Sequence, residues 1–373
     1  MIDHFQSGQS AIDTRWRLIR SWRILLATLF VFSFCPPFLP QATAADTRIV
    51  RDMVGRQVRI PRMPQRIACL HGPSYEKIFA LGGADRVVMA ANLDLPWAHR
   101  LNPALDRIPI ADTFAAPDVE RLLHLNVDLV IYPPFQKQLN HLTAAGLPVA
   151  IAYDSKRRPT TLEAFIADYY TQIRFYGELL GGQAPAIADQ YCAYADERIR
   201  RVTAITSTIP MAKRPRVFYF CGQVGGPAGT QTRYSTADWL VAAAGGIMLT
   251  HDEAAYFVNV TTEQMILWNP DIIIVSTLPT IEPVVTNPQW RDLRAVREKK
   301  VFMSPQGIFY WSHFSTESFL CILFLAKQFY PERFPDLDIQ DELQAYYSRF
   351  YHYALTDDEA RRILNHLPPK DTP

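Results

Sequence analysis

One pattern occurs twice in this chain. In the first half, Glu120 is followed by Asn126, Asp128 and the apolar run Leu129–Tyr132; in the second half, Glu263 is followed by Asn269, Asp271 and the run Ile272–Ser276. Both read E-x5-N-x-D and then a buried strand. The Asn-x-Asp turn ends a helix and starts a strand, because short polar side chains cap backbone groups and tolerate turn geometry. A Gly-Gly pair also precedes a strand in each half, at Gly82-Gly83 and Gly245-Gly246, where a helix C-terminus needs positive φ. We read two similar α/β lobes. The alternative is two unrelated βα units that share common turn chemistry.

The surrounding sequence carries the same alternation. Residues 66–70, 86–91, 127–132 and 148–153 read as short buried strands, with helices around Tyr75–Leu81, Pro117–Leu125 and Gln138–Ala145. In the second half, 215–221, 246–249, 270–276 and 300–304 are strands, and Ala237–Ala244, Thr262–Leu267 and Ser315–Phe329 are helices. Strands alternating with helices predict mainly parallel sheets covered on both faces.

Between the halves, residues 160–206 have no strand signal. Leu162, Phe165, Ile166, Tyr169 and Ile173 recur at helical steps. Thr160 or Thr161 can cap this helix. After Gly181-Gly182, Ala186 to Ile205 reads as a second helix, ~30 Å long at 1.5 Å per residue. The segment predicts a rigid helical spine. The expected organisation is an N-terminal leader over 1–44, a lobe over 45–158, a helical backbone over 159–208 and a second lobe over 209–373.

The leader has the pattern of a cleaved secretory signal peptide. Arg15, Arg17, Arg20 and Arg23 precede the apolar run Ile24–Phe34, and Ala42-Thr43-Ala44 supplies a small-x-small cleavage site. The run is about half of the ~20 residues a spanning helix needs. Phe34 before Cys35 argues against lipid attachment, which wants a small residue there. The chain carries a formal charge of +1, and losing residues 1–44 takes away four basic and two acidic side chains, leaving −1. That balance excludes global electrostatic attraction to nucleic acid or anionic lipid. The expected location is the periplasm.

Cys69, Cys192, Cys221 and Cys321 fit no C-x-x-C motif, and four cysteines allow three full pairings. Cys69, Cys221 and Cys321 read as buried small hydrophobes. There is no Gly-Lys-Ser/Thr loop, no H-E-x-x-H and no G-x-S-x-G elbow. The nine histidines are dispersed, which disfavours a bare zinc or manganese site. These observations predict a protein that is not an enzyme. An exported hydrolase is the enzymatic alternative, and a periplasmic sensor or adaptor is a third class.

Motifs in order along the chain carry a resemblance. The start Asp52-Met53-Val54-Gly55-Arg56 through Ile60-Pro61 to Pro64-Gln65-Arg66-Ile67 is similar to an opening of the form DxxGRxVxIPxxPxRI. Pro73-Ser74-Tyr75-Glu76 to Leu81-Gly82 is similar to P-S-x-T-E-x-L-x-A-L-G. Trp290 to Val301 is similar to W-x-x-L-x-A-V-x-x-x-x-V, and the tail Tyr346–Leu364 to part of the same group. Across almost the whole mature chain this resembles the helical-backbone (class III) substrate-binding proteins of ABC importers for ferric siderophores, haem and cobalamin. The resemblance implies a small-molecule ligand held between the lobes, a metal chelate and no resident cofactor. It implies a permease dimer in the inner membrane as partner, no nucleic acid, and a monomer. A molybdate-like oxyanion or a nickel chelate is the alternative ligand. It further implies one glutamate per lobe docking into arginine-lined permease pockets: Glu76 and Glu317, each in a first helical turn and expected on an exposed face.

Ligand contacts are expected on loops at the carboxyl ends of strands. These are His71-Gly72-Pro73, Asn92–Trp97, Tyr132–Phe135, Gly222–Gly226 with Arg233-Tyr234, and Pro305–Trp311. Aromatic faces stack on macrocycles or aryl chelators, and arginine neutralises carboxylates or oxyanions. Tyr132, Arg233 and Tyr310 lead this set, followed by Trp311, Trp97 and His71. His71 or a tyrosine is a candidate ligand to haem or cobalt, although a lone histidine is more often structural. No direct metal ligand is assigned.

Overall fold

The computed structural model describes residues 46–91, 95–111, 116–221, 228–233, 235–253, 255–276 and 278–370. The leader over 1–44, the loops 92–94 and 222–227, and Tyr234 lie outside the described residues. Among the described residues, no helix is long and apolar enough to cross a membrane.

The chain opens with an antiparallel hairpin, β1 (Thr47–Arg51) and β2 (Gln57–Pro61). Asp52, in the turn, pins it to the first lobe. Its carboxylate accepts from the N–H groups of Val54, Arg56 and Ile151 and from the Arg56 guanidinium at 2.7 Å. The opening motif is therefore a structural clasp.

The first main sheet uses β3 (Ile67–Cys69), β4 (Val87–Ala91), β5 (Ile110–Ala111), β6 (Leu129–Tyr132) and β7 (Val149–Ile151), all parallel in the order β5-β4-β3-β6-β7. Helices α1 (Ser74–Ala80), α2 (Pro96–Leu101), α3 (Val119–His124) and α4 (Gln136–Ala144) connect them. The central strands β3 and β6 are buried at every residue, so their runs are continuously apolar.

Two long helices follow, α5 (Leu162–Leu180) and α6 (Ala184–Thr206). Thr161 caps α5 by accepting from Ala164 N–H at 3.1 Å. The two helices do not run end to end. They fold back on each other as an antiparallel hairpin turned at Gly181-Gly182. Tyr169 meets Tyr191 through their hydroxyls, and Arg174 meets Asp189 at 2.7 Å. Helix α6, 23 residues and so ~34 Å long, runs back from the foot of the first lobe to the second, and the start of α5 also meets the second lobe, where Phe165 stacks on Trp239.

The second sheet contains β8 (Arg216–Phe220), β9 (Ala228–Gln231), β10 (Ile247–Met248), β11 (Phe257–Val260), β12 (Ile272–Val275) and β13 (Val301–Met303). Its order is β11-β9-β8-β12-β13, with β10 also beside β8. Strands β8, β10, β12 and β13 are parallel; β9 and β11 are antiparallel additions. Helices α7 (Thr236–Ala243), α8 (Thr262–Trp268), α9 (Glu282–Val285), α10 (Arg294–Arg297) and α11 (Ser318–Phe329) surround it.

The twin motif is structural in both lobes. Asn126 and Asn269 end α3 and α8 in left-handed conformation, at φ 49° and 44°. Asp128 then accepts from Gln65 and Arg66 N–H beside β3, and Asp271 accepts from Arg216 N–H at the head of β8. Gly82 and Gly245, at φ 78° and 86°, close α1 and α7 in matching fashion.

The tail, α12 (Ile339–Phe350) and α13 (Asp357–Leu364), touches both lobes. Arg100 pairs with Glu359 at 3.2 Å, and Gln306 N–H donates to the Ile363 carbonyl. Cys69, Cys192, Cys221 and Cys321 are all free thiols.

Candidate functional site

Each sheet has one place where the chain reverses its direction of strand addition, between β3 and β6 in the first lobe and between β8 and β12 in the second. The crevice outside the carboxyl ends of strands at such a point is where open α/β sheets bind ligands. The two carboxyl edges face one another. Lys77 Nζ, just past β3, donates to the Phe314 carbonyl at 2.6 Å. Burial raises the phenol of Tyr153, just past β7, with Tyr256 of the second lobe adding to it, and burial likewise raises Tyr256, with Cys221 past the end of β8 adding to it.

On the first-lobe rim, His71 lies two residues past the end of β3. Its Nδ1 lies 3.3 Å from Ser74 Oγ, and its ring sits 4.9 Å from that of Tyr153. Burial, helped by Lys77, pushes its pKa down to about 3, so the imidazole is neutral. On the second-lobe rim, Ser276 Oγ is 3.4 Å from Ser312 Oγ, which is 3.0 Å from His313 Nδ1. Burial lowers His313 to about 4. Tyr310 stacks obliquely on His313 at 5.1 Å. Tyr219 and Ser304 share a hydroxyl contact of 2.8 Å beneath this rim. Both rims thus present neutral imidazoles beside hydroxyls and aromatic faces. Burial raises the Tyr256 phenol and the Asp238 carboxyl, and the positive charges of Arg158 and Arg233 respectively offset part of that rise.

Of the residues expected to touch ligand, His71, Tyr310 and Arg233 are only part-buried, at strand-end loops. Three others require correction. Tyr132 is fully buried in the apolar layer with Ala68, Met89 and Leu139, because β6 turns it under the sheet; burial raises its phenol to about 12. Trp97 is 2% exposed, and its indole N–H donates to the Leu367 carbonyl, so it anchors the tail. Trp311 is fully buried in the main core, and its carbonyl accepts from Ser318 Oγ. Sequence reading missed Tyr153, Tyr256, Arg158 and His313. Tyr153 is the last residue of an expected strand, 148–153, with no ligand loop expected after it, and His313 lies two residues beyond the expected loop Pro305–Trp311.

The two glutamates are also corrected. Neither lies on an exposed face: Glu76 is 1% exposed and Glu317 is fully buried. Both oxygens of Glu76 accept from Thr316 N–H, at 3.1 and 3.0 Å, and Lys77 Nζ donates to it at 2.9 Å. Burial lowers the Lys77 pKa and Glu76 raises it again. Glu317 accepts from Phe309 N–H at 3.0 Å and from the Tyr347 hydroxyl. Burial pushes its carboxyl up to about 8, and the nearby Glu76 adds to that. A carboxylate committed to internal donors has no face left for a partner arginine, so the docking assignment is withdrawn.

Among the described residues, no group of three or more His, Cys, Asp or Glu is placed to hold a metal ion. The arrangement provides neutral N–H and O–H donors, arginines at the margin and ring faces, which suits holding a solute.

Two facing α/β lobes with converging switch points and a connecting helix define a solute-binding clamp. Residues 67–306 match the model of the periplasmic binding protein family, and the chain belongs to that family. The chain is 25% identical to the molybdate-binding protein MolA of Haemophilus influenzae over 86% of its own length and 95% of that protein. The molybdate-bound structure of MolA from that organism superimposes with a TM-score of 0.75 at 21% identity, covering 83% of this chain and 99% of the other. The Helicobacter pylori CeuE structure with nickel and histidine gives a TM-score of 0.68 at 19% identity, covering 85% and 99%.

Proposed function

We propose that the mature protein is the periplasmic solute-binding component of an ABC importer, and that it carries a compact oxyanion of the molybdate type. The lobes are taken as 45–158 and 209–373, with the helical backbone at 159–208, and the clamp works as a monomer that presents its cargo to a permease dimer. The observation that carries this reading is the facing pair of rims. His71 on one and Ser276, Ser312 and His313 on the other supply neutral donors that can surround an anion. Arg158 and Arg233 at the margin add the charge that draws an anion in. The likeness to a molybdate-binding protein over most of both chains supports the same ligand class.

A metal chelate, such as a ferric siderophore, haem, a corrinoid or a nickel complex, is the second reading. The ring pairs His71–Tyr153 and Tyr310–His313 favour it, because ring faces stack on flat ligands. Calorimetric titration of the mature protein with sodium molybdate, sodium tungstate, sodium sulfate, a ferric catecholate and haemin separates the two. Saturable molybdate binding that sulfate does not compete away is the expected result. Binding of a chelate with no heat from molybdate or tungstate would overturn the oxyanion reading.

A further inference from the structure

The second-lobe rim belongs to a strap, residues 306–318, that runs from the end of β13 to the start of α11. An antiparallel bridge between Gln306 and Tyr310 shapes its first turn. The strap is gripped from three sides. From the first lobe, Glu76 takes Thr316 N–H and Oγ1–H, and Lys77 donates to the Phe314 carbonyl. From the helical backbone, Tyr169 donates to the Ser315 carbonyl at 2.7 Å and Tyr191 to the Thr316 carbonyl at 2.5 Å. From the tail, Tyr346 donates to Thr316 Oγ1 at 2.7 Å. Phe314 sits in left-handed conformation, at φ 57°, with its ring against Phe165 and Tyr169.

A buried Lys–Glu pair is a costly thing to keep, since both ions give up water. Here each has more than the other as partner. Lys77 also donates to the Pro73 carbonyl at 3.2 Å, and the Glu76 oxygens cap a backbone amide on the opposite lobe. The pair therefore does what an apolar pair of equal volume cannot: it fixes the strap of one lobe to the first helix of the other.

We infer that Glu76 and Lys77 are positioning residues for the cleft: they hold strap 306–318, with Tyr310 and His313, in the geometry that binds ligand, without touching ligand themselves. The inference rests on the reading of the cleft as the binding site. It identifies lobe-to-lobe coupling as a determinant of affinity. A strap released from the first lobe still carries its own rim residues but no longer presents them to the facing rim.

The test compares wild type with Thr316→Val, which removes the hydroxyl donor and keeps the ion pair, and with the neutral double variant Glu76→Gln/Lys77→Met. Thr316→Ser keeps the donor. Hydrogen exchange of the full mature chain without ligand reads the strap directly. The expected result is exchange in 306–318 at least about tenfold faster in the first two variants. Strands 216–220 and 272–275 should be unchanged, and Thr316→Ser should behave as wild type. Titration with sodium molybdate should then show affinity weakened by about tenfold in the same two variants and restored in Thr316→Ser. Unchanged strap exchange overturns the inference. So does faster exchange with unaltered molybdate affinity. If wild type binds no molybdate, the oxyanion reading fails, and strap exchange alone decides the positioning role. Should the double variant not fold, Thr316→Val gives the answer.

Discussion

The carboxylate of Glu76 caps the backbone N–H of Thr316, 240 residues further along the chain, with both oxygens within 3.1 Å. One residue sits in the first turn of the first lobe's opening helix. The other stands just before the second lobe's last main helix. A helix N-terminus carries orphan amides and partial positive charge. Thr316 lies one residue before the N-cap, Glu317, so the Glu76 carboxylate from the other lobe stands beside that positive end and fixes the approach to the helix. The same contact surrounds Thr316 with the hydroxyls of Tyr346 and Tyr351. The lobes therefore meet through a buried polar network as well as through apolar packing, and polar networks demand specific geometry to stay satisfied.

Glu317 should make stability fall with rising pH. Its carboxyl is pushed from an ordinary 4.5 to about 8 by burial. The folded state then holds a proton that the unfolded state has lost. Stability is full below pH 4.5 and declines as the pH rises through 8. Glu317→Gln, which is always neutral, should gain on wild type by about 4 kcal/mol across that window. Urea unfolding of both proteins at pH 5, 6.5 and 8 measures it. A constant difference across the three would contradict the raised carboxyl.

The βα repeat was legible because its causes are local. Asn126 and Asn269 adopt the left-handed turn their sequence signals, and the strands after them are apolar at every position. What escaped was set by partners far away in sequence. The antiparallel strands β9 and β11 carry little alternation: β9 is Ala-Gly-Thr-Gln, fully buried, and β11 lies on the sheet edge. The α5–α6 hairpin has helix signals identical to those of a straight pair; the Tyr169–Tyr191 and Arg174–Asp189 contacts show the fold-back. A first-turn glutamate reads the same whether water or Thr316 answers it. Buried aromatics such as Tyr132 and Trp311 share their composition with ligand-facing ones, so sequence could not separate the two sets.

The turn asparagines should tolerate glycine and resist β-branched residues. At φ 49° Asn126 lies where a Cβ with two branches is strained. Asn126→Gly should change unfolding free energy little, and Asn126→Val should lower it by about 1–2 kcal/mol. Asn269 differs in one respect: its Oδ1 accepts from Arg294 N–H at 2.8 Å. Asn269→Gly should therefore cost about 1 kcal/mol more than Asn126→Gly. Equal costs for the two glycine variants would contradict this difference.

His71 should not titrate in the range where histidines ordinarily do. Its pKa is pushed from 6.5 to about 3, first by burial and then by Lys77. The unfolded chain takes up a proton near pH 6.5 that the folded chain refuses. The contribution is complete above pH 6.5 and is lost as the pH falls towards 3. Nuclear magnetic resonance of the His71 ring proton should show no movement between pH 8 and 5. His71→Gln should flatten the acid side of the stability profile. Between pH 4.5 and 6.5 this slope, joined by that of His313, outweighs the opposite slope of Glu317, so wild type should still gain stability with rising pH there. A ring signal that titrates near 6.5 would show an imidazole in contact with water.

Gly307 should be the least replaceable residue of the strap. A Cβ built on it would overlap the Glu317 carboxylate oxygen and the Tyr347 hydroxyl, and would lie 2.9 Å from Glu317 Cδ. The obstacle is therefore steric contact, not backbone angle. Both obstructing groups are buried and tied to each other, and Glu317 also holds Phe309 N–H, so neither can swing aside cheaply. Gly307→Ala should lower unfolding free energy by about 2–3 kcal/mol, in the range of overpacked sites. Tyr347→Phe removes one of the two obstructions together with a hydrogen bond worth about 1 kcal/mol. In the double variant the alanine meets only the carboxylate. Its cost should fall short of the sum of the single costs by about 1 kcal/mol, the size expected for residues in direct contact. Urea unfolding of the four proteins closes this cycle. Strict additivity would mean that Gly307 and Tyr347 do not touch, and that the strap is held some other way.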